Sequence, residues 1–117
     1  MPFMGILKTL VDSTPVAVGA IIVDWEGEAV QEFCHCDQFE IRFLGAHLEI
    51  ILDRFRAATS ADCGNMKELV LTTAENYLII GCIDEKYSLV MNVGRNCALA
   101  LALNNFRKAL VELEKEI

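Results

Sequence analysis

Cys34-His35-Cys36 is the stretch of this sequence that groups chemically reactive side chains most closely. Thiolates and imidazoles bind zinc, and structural zinc sites usually need four such ligands. Cys34 and Cys36 can share one face of a strand, but His35 then points to the opposite face. No second pair of cysteines or histidines supplies the missing ligands. We therefore favour packing at a strand end over a metal site, and a redox role for the two thiols is the lesser alternative.

Patterns that bind nucleotides or perform hydrolysis are missing from the sequence. It has no Gly-x-x-x-x-Gly-Lys-Ser/Thr phosphate loop. It has no Gly-x-Ser-x-Gly elbow, and its 2 histidines support no Ser-His-Asp set. We therefore expect a protein that is not an enzyme and that needs no cofactor.

The amino-acid composition narrows the possible domain organisation, binding partners and location of the protein. The 117 residues suit one domain, and 54% of them are hydrophobic. The net charge of -7 and the absence of a basic stripe disfavour nucleic acid and anionic membranes. The longest apolar run, Val16 to Val23, is far shorter than the roughly 20 residues of a membrane-spanning helix. The start of the chain lacks a basic signal-peptide segment, and the 5 cysteines are an odd count, so we expect a cytoplasmic protein with free thiols.

Apolar spacing along the chain predicts the element order α-β-β-α-β-β-β-α. The predicted helices span residues 2–12, 38–59 and about 96–116. The predicted strands span residues 16–23, 28–34, 67–72, 77–83 and 87–93, and residues 59–65 form a polar loop. Short links between strands favour antiparallel pairing. Strands that are apolar on both faces require helices on both sides of the sheet.

The long central helix has more apolar surface than one sheet can cover. One stripe contains Ile41, Leu44, Leu48, Ile51, Leu52 and Phe55. A second stripe contains Phe39, Phe43, Ala46, His47 and Ile50, which leaves a narrow polar sector of Arg42, Gly45, Glu49, Asp53 and Arg56. Another helix of the same chain is one possible cover for the second stripe. We favour a partner chain, most simply an identical helix across a two-fold axis.

Several features together resemble the roadblock/LC7 (dynein light chain 7-like) family. They are the Gly19–Gly27 hairpin segment, the long helix after it, the strands at 67–71 and 77–80, and the closing Ala-Leu-rich helix. The resemblance covers nearly the whole chain and depends on element order and length rather than on one motif. It implies a single domain with a profilin-like three-layer α/β/α sandwich around a five-stranded antiparallel sheet.

The resemblance also implies a homodimer that regulates or docks a small Ras-like GTPase without catalysis of its own. In such a dimer the long helices lie side by side, and the strand after each helix pairs with its copy. Here the contacts map to Phe39, Phe43, His47 and Ile50 on the helix and to Lys67, Glu68, Leu69 and Val70 on the strand. We expect the partner to dock on the polar sector, at Arg42, Glu49, Asp53 and Arg56. The alternatives are a structural scaffold subunit without nucleotide dependence and, with less support, a small-molecule sensor.

Overall fold

The computed structural model describes residues 2–59 and 66–117 and confirms the predicted element order. The helices are α1 (Pro2–Ser13), α2 (Gln38–Thr59) and α3 (Leu99–Glu116). The strands are β1 (Ala17–Asp24), β2 (Ala29–Cys34), β3 (Glu68–Thr72), β4 (Asn76–Cys82) and β5 (Tyr87–Gly94). Most of the predicted polar loop, residues 60–65, lies outside the described residues. None of the described helices combines the length and the apolar content that crossing a bilayer requires.

The five strands form one antiparallel sheet in the order β2-β1-β5-β4-β3. The apolar strands β1 and β4 are interior, as their composition predicts, and β5 lies at the centre. Strand β1 begins one residue later than predicted. Val16 has a φ of 56°, a left-handed conformation that a strand residue does not adopt.

Two separate hydrophobic cores lie on the two faces of this sheet. On one face, α1 and α3 pack against each other and against the sheet. On the other face, α2 packs alone, mainly over β1 and β2. The alternation of strand side chains divides neighbouring residues between the cores, so that Ile22 faces α1 and α3 while Ile21 faces α2. The result is the predicted three-layer sandwich.

A tight turn holds the β1–β2 hairpin against α2. The Asp24 carboxylate accepts hydrogen bonds from the backbone N–H groups of Glu26 and Glu28, at 2.9 and 3.0 Å. Gly27 has a φ of 83°, and a Cβ on it would lie 3.2 Å from the Cα of Ala46 on α2. Glycine is therefore required here for both conformation and space. Asp37 caps α2 by accepting a 2.9 Å hydrogen bond from the N–H of Phe39.

Candidate protein interaction surface

The inner face of α2 lies closely against the sheet. Ile41, Leu48 and Leu52 are at most 2% exposed and fill the core above β1, β5 and β4. Gly45 sits between them, and a Cβ on it would lie 2.9 Å from a methyl carbon of Val23. The absence of a side chain at this position lets the helix approach the strand, which closes the core on this side.

The predicted polar sector of α2 does not face solvent as a unit. Gly45 belongs to the inner face, and Glu49 is only 5% exposed. The Ser88 hydroxyl on β5 donates a 2.7 Å hydrogen bond to the Glu49 carboxylate. Burial raises the pKa of Glu49, although the hydrogen bond from Ser88 and the nearby charge of Arg56 act in the opposite direction. The expectation that Glu49 lies on an outer docking face is therefore wrong, because the helix is rotated so that this carboxyl turns toward β5.

The other three residues of the polar sector have different surroundings. Arg42 donates from Nε to Glu32 on β2 at 2.8 Å, and the Glu32 side chain is 8% exposed. This ion pair clamps the first half of α2 to the edge of the sheet. Arg56 is partly buried and its guanidinium contacts the Cys82 sulfur on β4. Asp53 is 78% exposed, so Asp53 and the outer part of Arg42 are the most exposed charges of this sector.

The side of α2 opposite the sheet carries three large apolar side chains. Phe39, Phe43 and Ile50 are 72%, 58% and 53% exposed, and we call these three residues the outer ridge. The rings of Phe39 and Phe43 stack with centroids 6.5 Å apart, and the ring of His47 lies 4.2 Å from that of Phe43. His47 Nδ1 is 2.8 Å from the Phe43 carbonyl oxygen, an acceptor, so Nδ1 carries the proton. No other helix of the chain covers this ridge, and the interpretation in which both stripes are core is wrong for the described residues.

Strand β3 is an edge of the sheet, and α2 makes its main contacts with β1 and β2. Leu69 and Leu71 are half-buried on the α2 side, while Val70 faces the α1–α3 core. Glu68 pairs with Arg107 of α3 on that same face. The Lys67 carbonyl accepts from the N–H of Cys82 at 2.9 Å. Because backbone groups alternate along an antiparallel strand, those of residues 68, 70 and 72 point to the open edge.

The cysteine-histidine stretch lies at the end of β2 and is held by local contacts. The Cys34 thiol donates to the Cys36 carbonyl oxygen at 3.2 Å, and His35 lies edge-on to the Phe33 ring. Burial, followed by the neighbouring Cys34, raises the pKa of Cys36 to about 11. That shift disfavours the thiolate, the form that both zinc binding and thiol exchange require. In residues 2–59 and 66–117 there is no cluster of three or more potential metal ligands.

The comparison with solved structures identifies the fold. Myxococcus xanthus MglB superposes with a TM-score of 0.89 at 16% identity, covering 98% of this chain and 94% of that chain. A roadblock/LC7 domain from Streptomyces avermitilis gives a TM-score of 0.86 at 14% identity, covering 96% and 94%. The chain has the roadblock/LC7 fold. Acanthamoeba castellanii profilin IA, at 14% identity, matches with a TM-score of 0.63 over 97% of this chain and 98% of that chain, so the roadblock sandwich here is also profilin-like.

No protein-family model matches the sequence, and no curated protein does. At such low identities the roadblock likeness establishes the fold, while function has to be argued from the surface. Sequence analysis missed part of that surface. Leu44, Ile51 and Phe55 are assigned to the inner stripe, yet Leu44 and Ile51 are only half-buried and Phe55 is 45% exposed. The rotation of α2, which moves Glu49 inward, is the reason that this flank turns outward.

Proposed function

We propose that this chain is a non-catalytic homodimer that docks and regulates a small Ras-like GTPase. The observation that carries the proposal is the outer ridge, three large apolar side chains that are each more than half exposed. Apolar patches of this kind mark protein interaction sites. The structural likeness to MglB supports the choice of a GTPase regulator, the role that the roadblock resemblance implies.

The proposed dimer joins two β3 edges, with Lys67, Glu68, Leu69 and Val70 of each copy along the seam. Two features support it. Within residues 2–59 and 66–117 no further strand pairs with this edge, and Leu69 and Leu71 are incompletely covered. A second α2 lying beside the first would cover them. Pairing would also remove an edge that otherwise invites aggregation.

The proposed dimer contact on α2 includes its half-exposed flank. Leu44, Ile51 and Phe55 lie on the side of the helix away from Arg42, and His47 is next to them by helical spacing. Of the four helix residues predicted at the dimer contact, His47 is therefore the closest to this flank. The outer ridge points away from the sheet, so a side-by-side dimer leaves much of Phe39, Phe43 and Ile50 uncovered.

The proposed docking surface for the GTPase is this outer ridge together with the exposed charges beside it, Arg42 and Asp53. Buried Glu49 is not part of it, and Arg56 contributes only the part that Cys82 does not cover. An apolar centre with charged residues at its rim is the usual anatomy of a specific protein interface. In this proposal the GTPase carries the chemistry and the dimer supplies a rigid platform.

The first test is the solution mass of the full chain by light scattering over a dilution series. The proposal expects at least twice 13.0 kDa, and a monomer at all concentrations contradicts it. Val70→Pro is the variant that tests the edge. The backbone N–H of Val70 points to the open edge, so proline removes this donor without breaking a hydrogen bond to β4. Val70→Pro should weaken the dimer while the circular dichroism spectrum stays unchanged, and Thr72→Pro gives an independent check.

The second test is a pull-down with the tagged dimer. Recovery of a Ras-like GTPase in one nucleotide state and not the other supports the proposal, and Phe43→Asp should abolish that recovery. Recovery of one partner irrespective of nucleotide would instead identify a scaffold subunit. A wild-type dimer that captures no GTPase in either nucleotide state contradicts the proposal.

A further inference from the structure

An apolar cleft opens at one end of the sheet, on the face that α1 and α3 cover. Its volume is about 220 Å³, and its walls consist of apolar and aromatic side chains, namely Phe3, Ile22, Val30, Tyr87 and Ile117. Ile22 is fully buried, whereas Val30 and Ile117 are 42% and 45% exposed. The cleft, which we call the sheet-end cleft, is therefore an extension of the hydrophobic core that opens to solvent.

A β-bulge in the edge strand β2 brings Val30 to this cleft. Val23 on β1 lies opposite Ala29, and the residue before Val23 lies opposite Gln31. The pairing therefore passes over Val30, and a residue that is left unpaired in this way is aimed differently from its neighbours in the strand. The bulge thus places a large, exposed aliphatic side chain at the opening of an apolar cleft.

A second cavity adjoins the sheet-end cleft and is lined by charged residues. It measures about 510 Å³, shares Tyr87 and Ile117 with the cleft, and is completed by the turn of Asp84, Glu85 and Lys86. The Asp84 carboxylate accepts hydrogen bonds from the backbone N–H groups of Lys86 and Tyr87, both at 2.8 Å. These two bonds hold one carboxylate beside the wall that the two cavities share.

Negative charge predominates around the two cavities. Glu28 precedes the bulged end of β2, Asp84 and Glu85 form the turn, and Lys86 is the cation of that turn. Within residues 2–59 and 66–117, no salt bridge involves any of these four side chains. Three carboxylates against one ammonium group attract a positively charged partner and repel an anionic one.

We propose that the sheet-end cleft binds a basic segment of a partner protein. One large apolar side chain of the segment fills the cleft, and a lysine or arginine close to it in sequence lies against Asp84 and Glu85. An apolar anchor in a pocket with charged residues at its rim is the usual anatomy of a protein interface. The cleft is smaller than the roughly 300–1,000 Å³ of small-molecule sites, which disfavours a cofactor or metabolite.

This surface is separate from those of the proposed function, and the inference goes beyond that function without resting on it. Ile22 belongs to the core that α1 and α3 cover, so the cleft lies across the sheet from α2. Strand β2, which carries Val30, is the edge of the sheet opposite β3. A dimer joined at β3, with a GTPase on α2, would therefore leave a sheet-end cleft free on each copy.

The test is a selection from a random dodecapeptide library displayed on phage, with the full wild-type chain and with Val30→Asp as targets. Peptides that wild type enriches and Val30→Asp does not should share a large apolar residue with a lysine or arginine within two positions. The change adds a charge at a partly exposed position, and circular dichroism checks that the fold persists. Val111→Asp alters a valine that is 52% exposed on α3, outside the cleft, and as the matched control it should enrich the same peptides as wild type.

The most strongly enriched peptide then separates the two parts of the site, with binding read by fluorescence anisotropy. Replacing its apolar anchor by alanine should weaken binding about tenfold or more, because the anchor loses its burial. Glu85→Lys should weaken binding about threefold or more, and added salt should reduce this difference. Glu75→Lys, in the turn before β4 at the opposite end of the sheet, is the matched control and should bind as wild type does.

Three results would overturn the inference: no enriched peptide depends on Val30, the dependent peptides lack a basic residue, or the alanine-anchor peptide binds equally well. Failure of the proposed function looks different. Val30→Asp leaves α2 and β3 unchanged, so it should dimerise and capture a GTPase as wild type does. A wild-type chain that binds the selected peptides but captures no GTPase would remove the docking platform and retain the sheet-end cleft.

Discussion

The two faces of α2 are both apolar in sequence, yet one is buried against the sheet and the other is exposed to solvent. Ile41, Leu48 and Leu52 are buried against the sheet, whereas the larger Phe39 and Phe43 are more than half exposed. The buried face also includes a glycine and an ionisable carboxyl. The face of α2 that can approach the strands most closely packs on the sheet, even though the other face carries larger hydrophobic side chains.

Gly45 explains this choice. The helix can approach β1 only where it has no side chain, and the methyl groups of Val23 and Ile21 fill that place. Turning Phe39 and Phe43 inward would separate the helix from the sheet by the thickness of a ring. The exposed aromatic residues therefore do not contribute to the core of the single chain. Large apolar side chains that are free of the core in this way are typical of an interaction surface.

The largest change in the free energy of unfolding is expected at Leu52, and Ile50, two positions before it, serves for comparison. Leu52 is fully buried and Ile50 is 53% exposed. Leu52→Ala should lower the free energy of unfolding by about 2–5 kcal/mol, because it leaves a cavity in a closed core. Denaturant unfolding with circular dichroism detection measures this loss.

The outer ridge is the control for that measurement. Ile50→Ala should change the free energy of unfolding by less than about 0.5 kcal/mol in dilute protein, where association is absent. Its effect should appear in the association constants instead. A loss above about 2 kcal/mol for Ile50→Ala in the monomer would mean that the two faces do not differ as described.

The next largest effect concerns the ion pair at the border between the faces. Arg42→Gln leaves the Glu32 carboxylate buried with a weaker partner, so unfolding free energy should fall by about 1–2 kcal/mol. Arg54→Gln is the matched control on the exposed side of the same helix and should stay within about 0.5 kcal/mol in dilute protein. Equal effects of the two variants would show that Arg42 does not clamp α2 to β2.

A smaller effect tests the close approach at Gly45. Alanine improves helix propensity by up to about 1 kcal/mol over glycine. At Gly45 the new Cβ would meet the Val23 methyl at 2.9 Å, while a Cβ at Gly5 of α1 would meet, among the described residues, nothing within 4 Å apart from its own stretch of helix. Gly5→Ala should therefore raise the melting temperature, and Gly45→Ala should lower it by a net loss of about 1 kcal/mol. Stabilisation by both changes would show that α2 is not limited by this contact.

Sequence reasoning predicts the fold well because its signals are local and agree with each other. The element order follows from the spacing of apolar residues along the chain, which is a short-range signal. The burial of β1 and β4 on both faces of the sheet also follows from their uninterrupted apolar composition. The starts of β1 and α3 are exceptions. The left-handed conformation of Val16 has no signature in its residue type, and α3 begins at Leu99 rather than at about residue 96.

The candidate site is predicted less well because its geometry depends on the rotation of one helix. The excess apolar surface of α2 follows from spacing alone, and the exposed ridge confirms that Phe39, Phe43 and Ile50 are not core. The rotation itself depends on a tertiary contact between Gly45 and β1. A glycine in a polar sector looks like a solvent-facing residue, and this is why Glu49 is predicted on the wrong face.

Glu49 offers the smallest and most specific test of that rotation. Burial raises its pKa, so the folded protein holds a proton at this carboxyl more tightly than the unfolded chain does. The resulting stability is complete below the ordinary pKa of a glutamate and is lost as the pH rises through the raised value. If Glu49 faced solvent, as its place in the polar sector predicts, no such loss would occur.

Glu49→Gln removes the titration but keeps an oxygen that accepts the Ser88 hydroxyl hydrogen bond. The variant should therefore gain stability relative to wild type as the pH is raised from about 4 to about 8, and the difference should shrink toward acid. Glu40→Gln, an exposed carboxyl on the same helix, is the matched control, and its difference from wild type should vary less with pH. Chemical denaturation at a series of pH values gives both curves. A Glu49→Gln difference that is no steeper than that of Glu40→Gln would place the Glu49 carboxyl in solvent, and the inner face of α2 would then have to be redrawn.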